Sequence, residues 1–177
     1  AARPPRRARG VAAAPPPPVA PARRVNGLLV IGASTGGPPA IESLLTRLPA
    51  DIPPTLIVQH MPPNFTRAFA ERLDSVSPMK VLEAKGGEVL NRGTVYVAPG
   101  DSHMVVERRG VELRTALTQG APVHYQRPAV DVLFDSVAKL QGMPVVGVLL
   151  TGMGADGADG MVALRRSGAE TIAEGEL

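Results

Sequence analysis

The sequence of 177 residues contains no cysteine and no tryptophan, and aromatic residues make up only 3% of it. The lack of cysteine excludes disulfide bonds and thiolate metal sites. No apolar run reaches the roughly 18 to 20 residues of a membrane-spanning helix, so we expect no direct membrane insertion. Only three histidines are present, His60, His103 and His124. Any imidazole that acts as a general base must be one of these three.

The net charge of +3 is unevenly distributed. Residues 1–24 contain six arginines and no acidic residue, so the remainder of the chain is mildly acidic. Because the few aromatic residues do not alternate with the arginines, the sequence offers no stacking platform for bases. We therefore expect no nucleic acid among the partners.

Residues 1–24 consist mainly of Ala, Pro and Arg and include the run Pro15 to Pro18. Such a segment has no hydrophobic face to bury, and its composition is typical of a disordered linker. The sequence therefore predicts two parts, a linker over 1–24 and a folded domain over 25–177.

A glycine-rich stretch from Gly32 to Gly37 surrounds a serine, Ser34. It follows the apolar run 28–31 and precedes residues with helical periodicity, which predicts a strand, a tight turn and a helix. Gly32 to Gly36 matches G-x-S-x-G, the nucleophile-elbow pattern, which occurs in this structural context. Taken alone, the pattern is weak and favours an ordinary turn with a capping serine.

Strand and helix patterns alternate along the rest of the chain. Apolar strands are predicted at 55–58, 145–150 and 169–173, and Asn64 is predicted to cap a helix whose buried face includes Phe65 and Phe69. Short β-like runs between 79 and 114 predict hairpins. The expected fold class is α/β, a doubly wound and mostly parallel sheet with helices on both faces and a small β-hairpin insertion.

Ser34, His60 and Asp156 each follow the carboxyl end of a predicted strand, which is where ligands bind in such sheets. Serine is activated by an imidazole within hydrogen-bond reach, and a carboxylate on the other ring nitrogen fixes the tautomer. The three residues could therefore form a catalytic triad. Alternatively, Ser34 is a turn residue, His60 ends a strand and Asp156 caps a helix. His103 is the rival base, although it falls in the hairpin region.

A second motif, Gly152-x-Gly154-x-x-Gly157, matches the dinucleotide-binding fingerprint and follows a strong strand. In that interpretation the chain is an oxidoreductase, and Glu174 or Glu176 contacts the ribose. A third interpretation is a non-catalytic docking module. The spacing of histidines and acids matches none of the common metal or phosphate motifs, so we expect no metal and no cofactor.

Five stretches of the sequence resemble the catalytic domain of bacterial chemotaxis protein-glutamate methylesterases. They occur in the family's order across residues 26 to 173, and they are IGASTGG (31–37), QHMPPNFTRAFAERL (59–73), YVAPGDSHM (96–104), RPAVDVLF (127–134) and GVLLTGMGADGADGM (147–161). Gln126 departs from the pattern, since many relatives have histidine before Arg-Pro.

The resemblance implies that Ser34, His60 and Asp156 are the catalytic triad and that Thr35 and Met153 support the oxyanion site. It implies hydrolysis of glutamate methyl esters on the cytoplasmic helices of methyl-accepting chemotaxis receptors, deamidation of receptor glutamines, and a cytoplasmic location. It further implies a receiver domain in a full-length form. Family members continue past the position of Leu177, so the domain over 25–177 is expected to lack a final strand and helix.

Overall fold

The computed structural model describes residues 26–152 and 154–175. The predicted linker over 1–24, Met153 and Glu176 therefore lie outside the described residues. The strands are β1 (Leu28–Ala33), β2 (Thr55–Gln59), β3 (Lys80–Glu83), β4 (Thr94–Val97), β5 (His103–Arg109), β6 (Glu112–Thr118), β7 (Val145–Leu149) and β8 (Glu170–Ala173), and the helices are α1 (Gly37–Leu45), α2 (Phe65–Val76), α3 (Val130–Ala138) and α4 (Ala158–Arg166).

Six strands form a parallel sheet in the order β3-β4-β2-β1-β7-β8. The chain builds outward from β1 in one direction through β2 and in the other through β7, so the winding reverses beside β1. This arrangement confirms the predicted doubly wound α/β fold. It also places a cleft at the carboxyl ends of β1, β2 and β7, the position at which such sheets bind ligands.

Successive residues of the central strands point to opposite faces of the sheet. Val30 and Val58 pack with α3 and α4 in one buried cluster, whereas Ile31 and Ile57 pack with α1 and α2 in another. Helices therefore cover both faces. This alternation fixes which side chains at the strand ends face each helical layer.

Strands β5 and β6 form the antiparallel hairpin expected in the middle of the chain. One interpretation of that region was wrong: residues 80–83 were assigned to a hairpin, but β3 pairs in parallel with β4 at the edge of the main sheet. β3 has only four residues and lies at the edge of the sheet, so its side chains are less buried than those of a central strand. Its hydrophobic pattern was therefore too weak to distinguish a sheet strand from a hairpin strand.

The start of α2 also differs from the prediction. Asn64 occupies the N-cap position, but its side chain makes no capping hydrogen bond, and its backbone has a positive φ of 72°. Phe65 is 63% exposed, and the buried face of the helix instead contains Thr66, Phe69, Ala70 and Leu73. No helix within the described ranges is long and apolar enough to cross a membrane.

Candidate active site

Ser34 is the first residue after β1 and begins a tight turn. The Gly37 N–H donates to the Ser34 carbonyl at 2.8 Å, and Gly36 has φ 78° and ψ −2°. These angles are those of the third residue of a type II turn, where a side chain would be strained. The glycine at position 36 thus allows the chain to turn directly into α1 while Ser34 remains at the edge of the sheet.

His60 lies beside Ser34 because β1 and β2 are paired in parallel. Ala33 is in register with Gln59, and the His60 N–H donates to the Ala33 carbonyl at 3.2 Å. Ser34 and His60 are the next pair along the two strands, whose backbones are about 4.8 Å apart. Strand alternation places both side chains on the face covered by α3.

Asp156 is brought to His60 by the loop that follows β7. Its Oδ2 lies 2.6 Å from Nε2 of His60. The same carboxylate accepts hydrogen bonds from the backbone N–H of Val130 at 2.7 Å and of Asp131 at 2.9 Å. These N–H groups belong to the first turn of α3, where helical donors lack intrahelical partners and favour an anion. Asp156 therefore caps α3, whereas the sequence had suggested only a cap for α4.

The carboxyl of Asp156 is held in its ionised form. Burial alone would raise its pKa, but the hydrogen bonds from His60, Asp131 and Val130, together with the charge on His60, outweigh burial and lower the pKa below its ordinary value. An ionised carboxylate at Nε2 keeps the proton on that nitrogen. The other ring nitrogen, Nδ1, is then free to accept a proton.

Nδ1 of His60 is buried and has no hydrogen-bond partner within the described residues. His60 lines the same cleft as Ser34, together with Ala33, Val130, Leu149, Leu150, Gly152, Gly154 and Asp156. Among the described residues, no hydrogen bond joins the Ser34 hydroxyl to the imidazole. Such bonds often tighten only when substrate binds. The arrangement supplies a hydroxyl, an acceptor nitrogen and a carboxylate around one small space.

Of the two residues predicted to support the oxyanion site, Thr35 is described and Met153 is not. Thr35 is exposed and directly follows Ser34. Its backbone N–H donates to no acceptor among the described residues. In nucleophile-elbow hydrolases, the N–H of the residue after the nucleophile is one of the oxyanion donors.

Gly152 packs directly against the candidate nucleophile. A Cβ added at this position would lie 2.7 Å from Ser34 Cβ, closer than side-chain atoms tolerate. We expect Gly152→Ala to displace Ser34 and lower turnover by about 10- to 100-fold, since a misplacement of about 1 Å can cost that much. Steady-state ester hydrolysis measures this. Gly120→Ala is the matched control, because its added Cβ makes only ordinary contacts, the nearest at 3.7 Å. Equal rates for the two variants would contradict the prediction.

The other two histidines take different roles. His103 is buried at the start of β5, where Nδ1 accepts from the Ala129 N–H and Nε2 donates to the Ala121 carbonyl. Both ring nitrogens are therefore engaged in holding loops together, which removes His103 as the rival base. His124 is partly exposed, and its Nε2 lies 3.1 Å from Oδ2 of Asp131.

Three potential metal ligands converge beside α3 in the described part of the chain: His124, Asp131 and Asp159. Their ligand atoms lie within 4.8 Å of one another. Asp131 is also bound within the protein, because Oδ1 accepts the Gly160 N–H at 2.7 Å. The contact with His124 and the hydrogen bond from Gly160 account for the position of Asp131.

Asp135 lies close to these carboxylates and has a raised pKa, first because its carboxyl is partly desolvated and then because of repulsion from Asp131 and Asp159, which the charge of Lys139 only partly offsets. Ionised Asp135 therefore opposes folding at neutral pH. We expect Asp135→Asn to raise Tm by about 1–2 °C at pH 7, the scale of a surface substitution in a domain of this size. The gain should disappear below about pH 4, where aspartate is protonated in the folded and unfolded states alike. Thermal unfolding at both pH values tests this; a gain that persists at low pH would show another cause.

The structure explains two glycines of the dinucleotide-like motif by close packing within the protein. Gly152 is required by contact with Ser34, and a Cβ at Gly157 would lie 2.6 Å from Leu149. Glu174, proposed to bind a ribose, instead accepts the Thr151 N–H at 2.6 Å. The turn therefore forms one wall of the serine-containing cleft.

Sequence reasoning missed two elements of the site. One is the pair of backbone donors at the start of α3, which no side-chain pattern can reveal. The other is Gln59, a buried side chain whose Nε2 donates to the Ser34 carbonyl at 2.8 Å. Its position directly before His60 at the end of an apolar strand was the available signal, because a polar residue buried there needs a reason.

The fold and the cleft define a doubly wound α/β protein with a hydrolase-type group of serine, histidine and aspartate. The chain belongs to the CheB methylesterase family, whose model matches residues 29–176. It is 52% identical over 149 residues to a protein-glutamate methylesterase/protein-glutamine glutaminase of Dechloromonas aromatica and 55% identical over 148 residues to that of Symbiobacterium thermophilum. The alignments cover 84% and 83% of this chain.

A solved structure, the CheB methylesterase catalytic domain of Thermotoga maritima, matches with a TM-score of 0.81 and 40% sequence identity. The match covers 84% of this chain and 79% of that one. By contrast, the alignments span only 43% and 40% of the two curated relatives. The chain therefore corresponds to less than half the length of these curated relatives.

Proposed function

We propose that this chain hydrolyses the methyl esters of glutamate side chains in chemoreceptors, with release of methanol, and deamidates receptor glutamines. The observation that carries the proposal is the 2.6 Å contact between His60 Nε2 and Asp156 in a cleft shared with Ser34. The names of the relatives supply the substrate class, since they combine methylesterase and glutaminase activities.

The reaction begins when the Ser34 hydroxyl attacks the ester carbonyl and its proton passes to Nδ1 of His60. Negative charge develops on the carbonyl oxygen, where the Thr35 N–H is a candidate donor. Collapse of this intermediate breaks the bond to the methoxy group, which takes the proton from His60 and leaves as methanol. A glutamyl ester of Ser34 remains.

Water then attacks this acyl-enzyme and gives a proton to His60. The second tetrahedral intermediate breaks its bond to Ser34, which recovers its proton, and glutamate is released. A glutamine substrate follows the same route with ammonia as the leaving group. Throughout, Asp156 stabilises the protonated imidazole and holds its orientation.

The proposal also includes the location, the partners and the regulation of the enzyme. We propose that the enzyme acts in the cytoplasm on the helices of methyl-accepting receptors and that a receiver domain belongs to the full-length form. Support comes from the family and from the fraction of the relatives that the chain spans. The linker assignment for residues 1–24 belongs to the same proposal.

The decisive experiment incubates the protein with a methylated cytoplasmic receptor fragment and measures methanol, with mass spectrometry of the modified glutamates. We expect methanol in proportion to the esters lost. A folded protein that binds the fragment without releasing methanol would indicate a docking module. Binding of NADH, detected by a change in its fluorescence, would instead support the oxidoreductase interpretation.

A further inference from the structure

Gln59 is the last residue of β2 and is only 2% exposed. In register with Ala33, it lies on the face of the sheet covered by α1 and α2, opposite to His60. Its amide Nε2 donates to the Ser34 carbonyl at 2.8 Å and more weakly to the His60 carbonyl at 3.4 Å. The side chain thus contacts the backbone of the nucleophile turn from below the cleft.

This hydrogen bond is not needed to satisfy the backbone. The Ser34 carbonyl already accepts the Gly37 N–H at 2.8 Å. Meanwhile, Oε1 of Gln59 is buried with no partner among the described residues. An unpaired buried polar atom costs stability, and an apolar side chain of the same shape avoids that cost. Burying an amide here is therefore unfavourable unless the amide has another role.

The geometry of the peptide bond suggests that role. A trans peptide is planar, so the Ser34 C=O and the Thr35 N–H of the same peptide point in opposite directions. The carbonyl is directed to Gln59 and Gly37. The Thr35 N–H is therefore directed away from Gln59, toward the face that carries His60, and it has no acceptor among the described residues.

We propose that Gln59 is a positioning residue that fixes the Ser34–Thr35 peptide so that the Thr35 N–H points at the developing oxyanion. The inference rests on the proposed hydrolysis and deepens it. Two donors on one carbonyl restrict rotation of the peptide more than the turn hydrogen bond alone. The donor at Thr35 is then oriented before the substrate arrives, which is the condition for effective oxyanion stabilisation.

The test replaces Gln59 by methionine, which has similar volume and no amide. We expect kcat to fall about 10- to 100-fold, less than the roughly 100- to 1,000-fold for complete loss of an oxyanion donor. KM should stay within about threefold, because the interaction matters in the transition state and not in the ground state. Tm should stay the same or rise, since the unpaired Oε1 is removed.

Thr115→Val is the matched control. Thr115 is also buried, and its hydroxyl accepts the Glu88 N–H at 3.2 Å in the β5–β6 region, away from the cleft. We expect this variant to lower Tm and leave kcat unchanged. A purely structural role for Gln59 predicts the same pattern for Gln59→Met. An unchanged kcat of Gln59→Met, with or without a lower Tm, would overturn the proposal.

Two measurements separate this inference from the substrate assignment. A fluorophosphonate reacts with an activated serine whatever the natural substrate: the Ser34 Oγ–P bond forms, the P–F bond breaks, fluoride leaves and His60 takes the hydroxyl proton. We expect labelling of Gln59→Met to slow about as much as kcat. Residual dipolar couplings of the Thr35 N–H report its orientation without any turnover and should differ between wild type and Gln59→Met. Unchanged couplings would overturn the proposal even if the protein proved to have no esterase activity.

Discussion

Ser34→Ala is expected to lower methanol release by about six orders of magnitude, the loss that follows removal of the nucleophile in a serine hydrolase. The variant cannot form the glutamyl ester of Ser34, and the remaining groups stabilise only direct attack by water. The protein should fold normally, because the Ser34 hydroxyl makes no hydrogen bond within the described residues. Methanol assays with a methylated receptor fragment, together with Tm and fragment binding, measure the effect.

Ser43→Ala is the control for this experiment. Ser43 lies on the exposed side of α1, the helix that follows the nucleophile turn, and its side chain contributes nothing to the cleft. The turnover of Ser43→Ala should equal that of the wild type. Methanol release that survived Ser34→Ala at a comparable rate would remove Ser34 as the nucleophile, and the cleft would then need another explanation.

The main features of the fold could be predicted from the sequence because its central strands are short, apolar and bounded by glycine or proline. The strands that carry Ser34 and His60 are buried on both faces, as parallel strands between two helical layers must be. Local pattern therefore placed Ser34 and His60 after their strands, and Asp156 in the loop after β7, at one edge of the sheet. Topology then brought them together, with Asp156 joined to His60 at 2.6 Å.

The remaining features depend on contacts between segments that are far apart in the chain. The backbone donors to Asp156 come from α3, about 25 residues earlier. The side chain of Gln59, at the end of β2, reaches the Ser34 carbonyl just past the end of the neighbouring strand β1. The exposed side of α2 was misjudged for a similar reason: Phe65 fits an apolar pattern, but the helix is rotated so that Thr66 is buried and bonds to Glu83. The hydrophobic periodicity of one segment does not show which distant residues it will contact.

Asp156→Asn is expected to lower turnover by roughly four orders of magnitude, the loss known for the equivalent change in a serine protease. Three donors, the His60 imidazole and the N–H groups of Val130 and Asp131, converge on two carboxylate oxygens. Asparagine has one carbonyl oxygen and an NH2 group, so one donor must face another donor. If the NH2 faces His60, the imidazole adopts the wrong tautomer and Nδ1 can no longer accept the proton of Ser34.

Because one donor faces another donor, Asp156→Asn is also expected to be less stable than the wild type, whereas Ser34→Ala is not. Because the pKa of Asp156 is lowered on folding, its carboxylate stabilises the folded state at neutral pH, and this contribution is lost as the pH falls below about 4. The Tm difference between wild type and Asp156→Asn should therefore be largest near pH 7 and shrink in acid. Asp159→Asn, three residues further along in the first turn of α4, is the control and should retain turnover.

These outcomes also decide between the two interpretations of the Gly152 to Gly157 turn. The dinucleotide fingerprint leaves the residue at position 156 unspecified, so it predicts a mild effect of Asp156→Asn and a larger one for Glu174→Gln. The hydrolase interpretation predicts a large effect of Asp156→Asn and little effect of Glu174→Gln. Glutamine at position 174 retains the oxygen that accepts the Thr151 N–H. Near wild-type ester hydrolysis by Asp156→Asn would mean that His60 is oriented by its own strand pairing with Ala33 and not by the carboxylate.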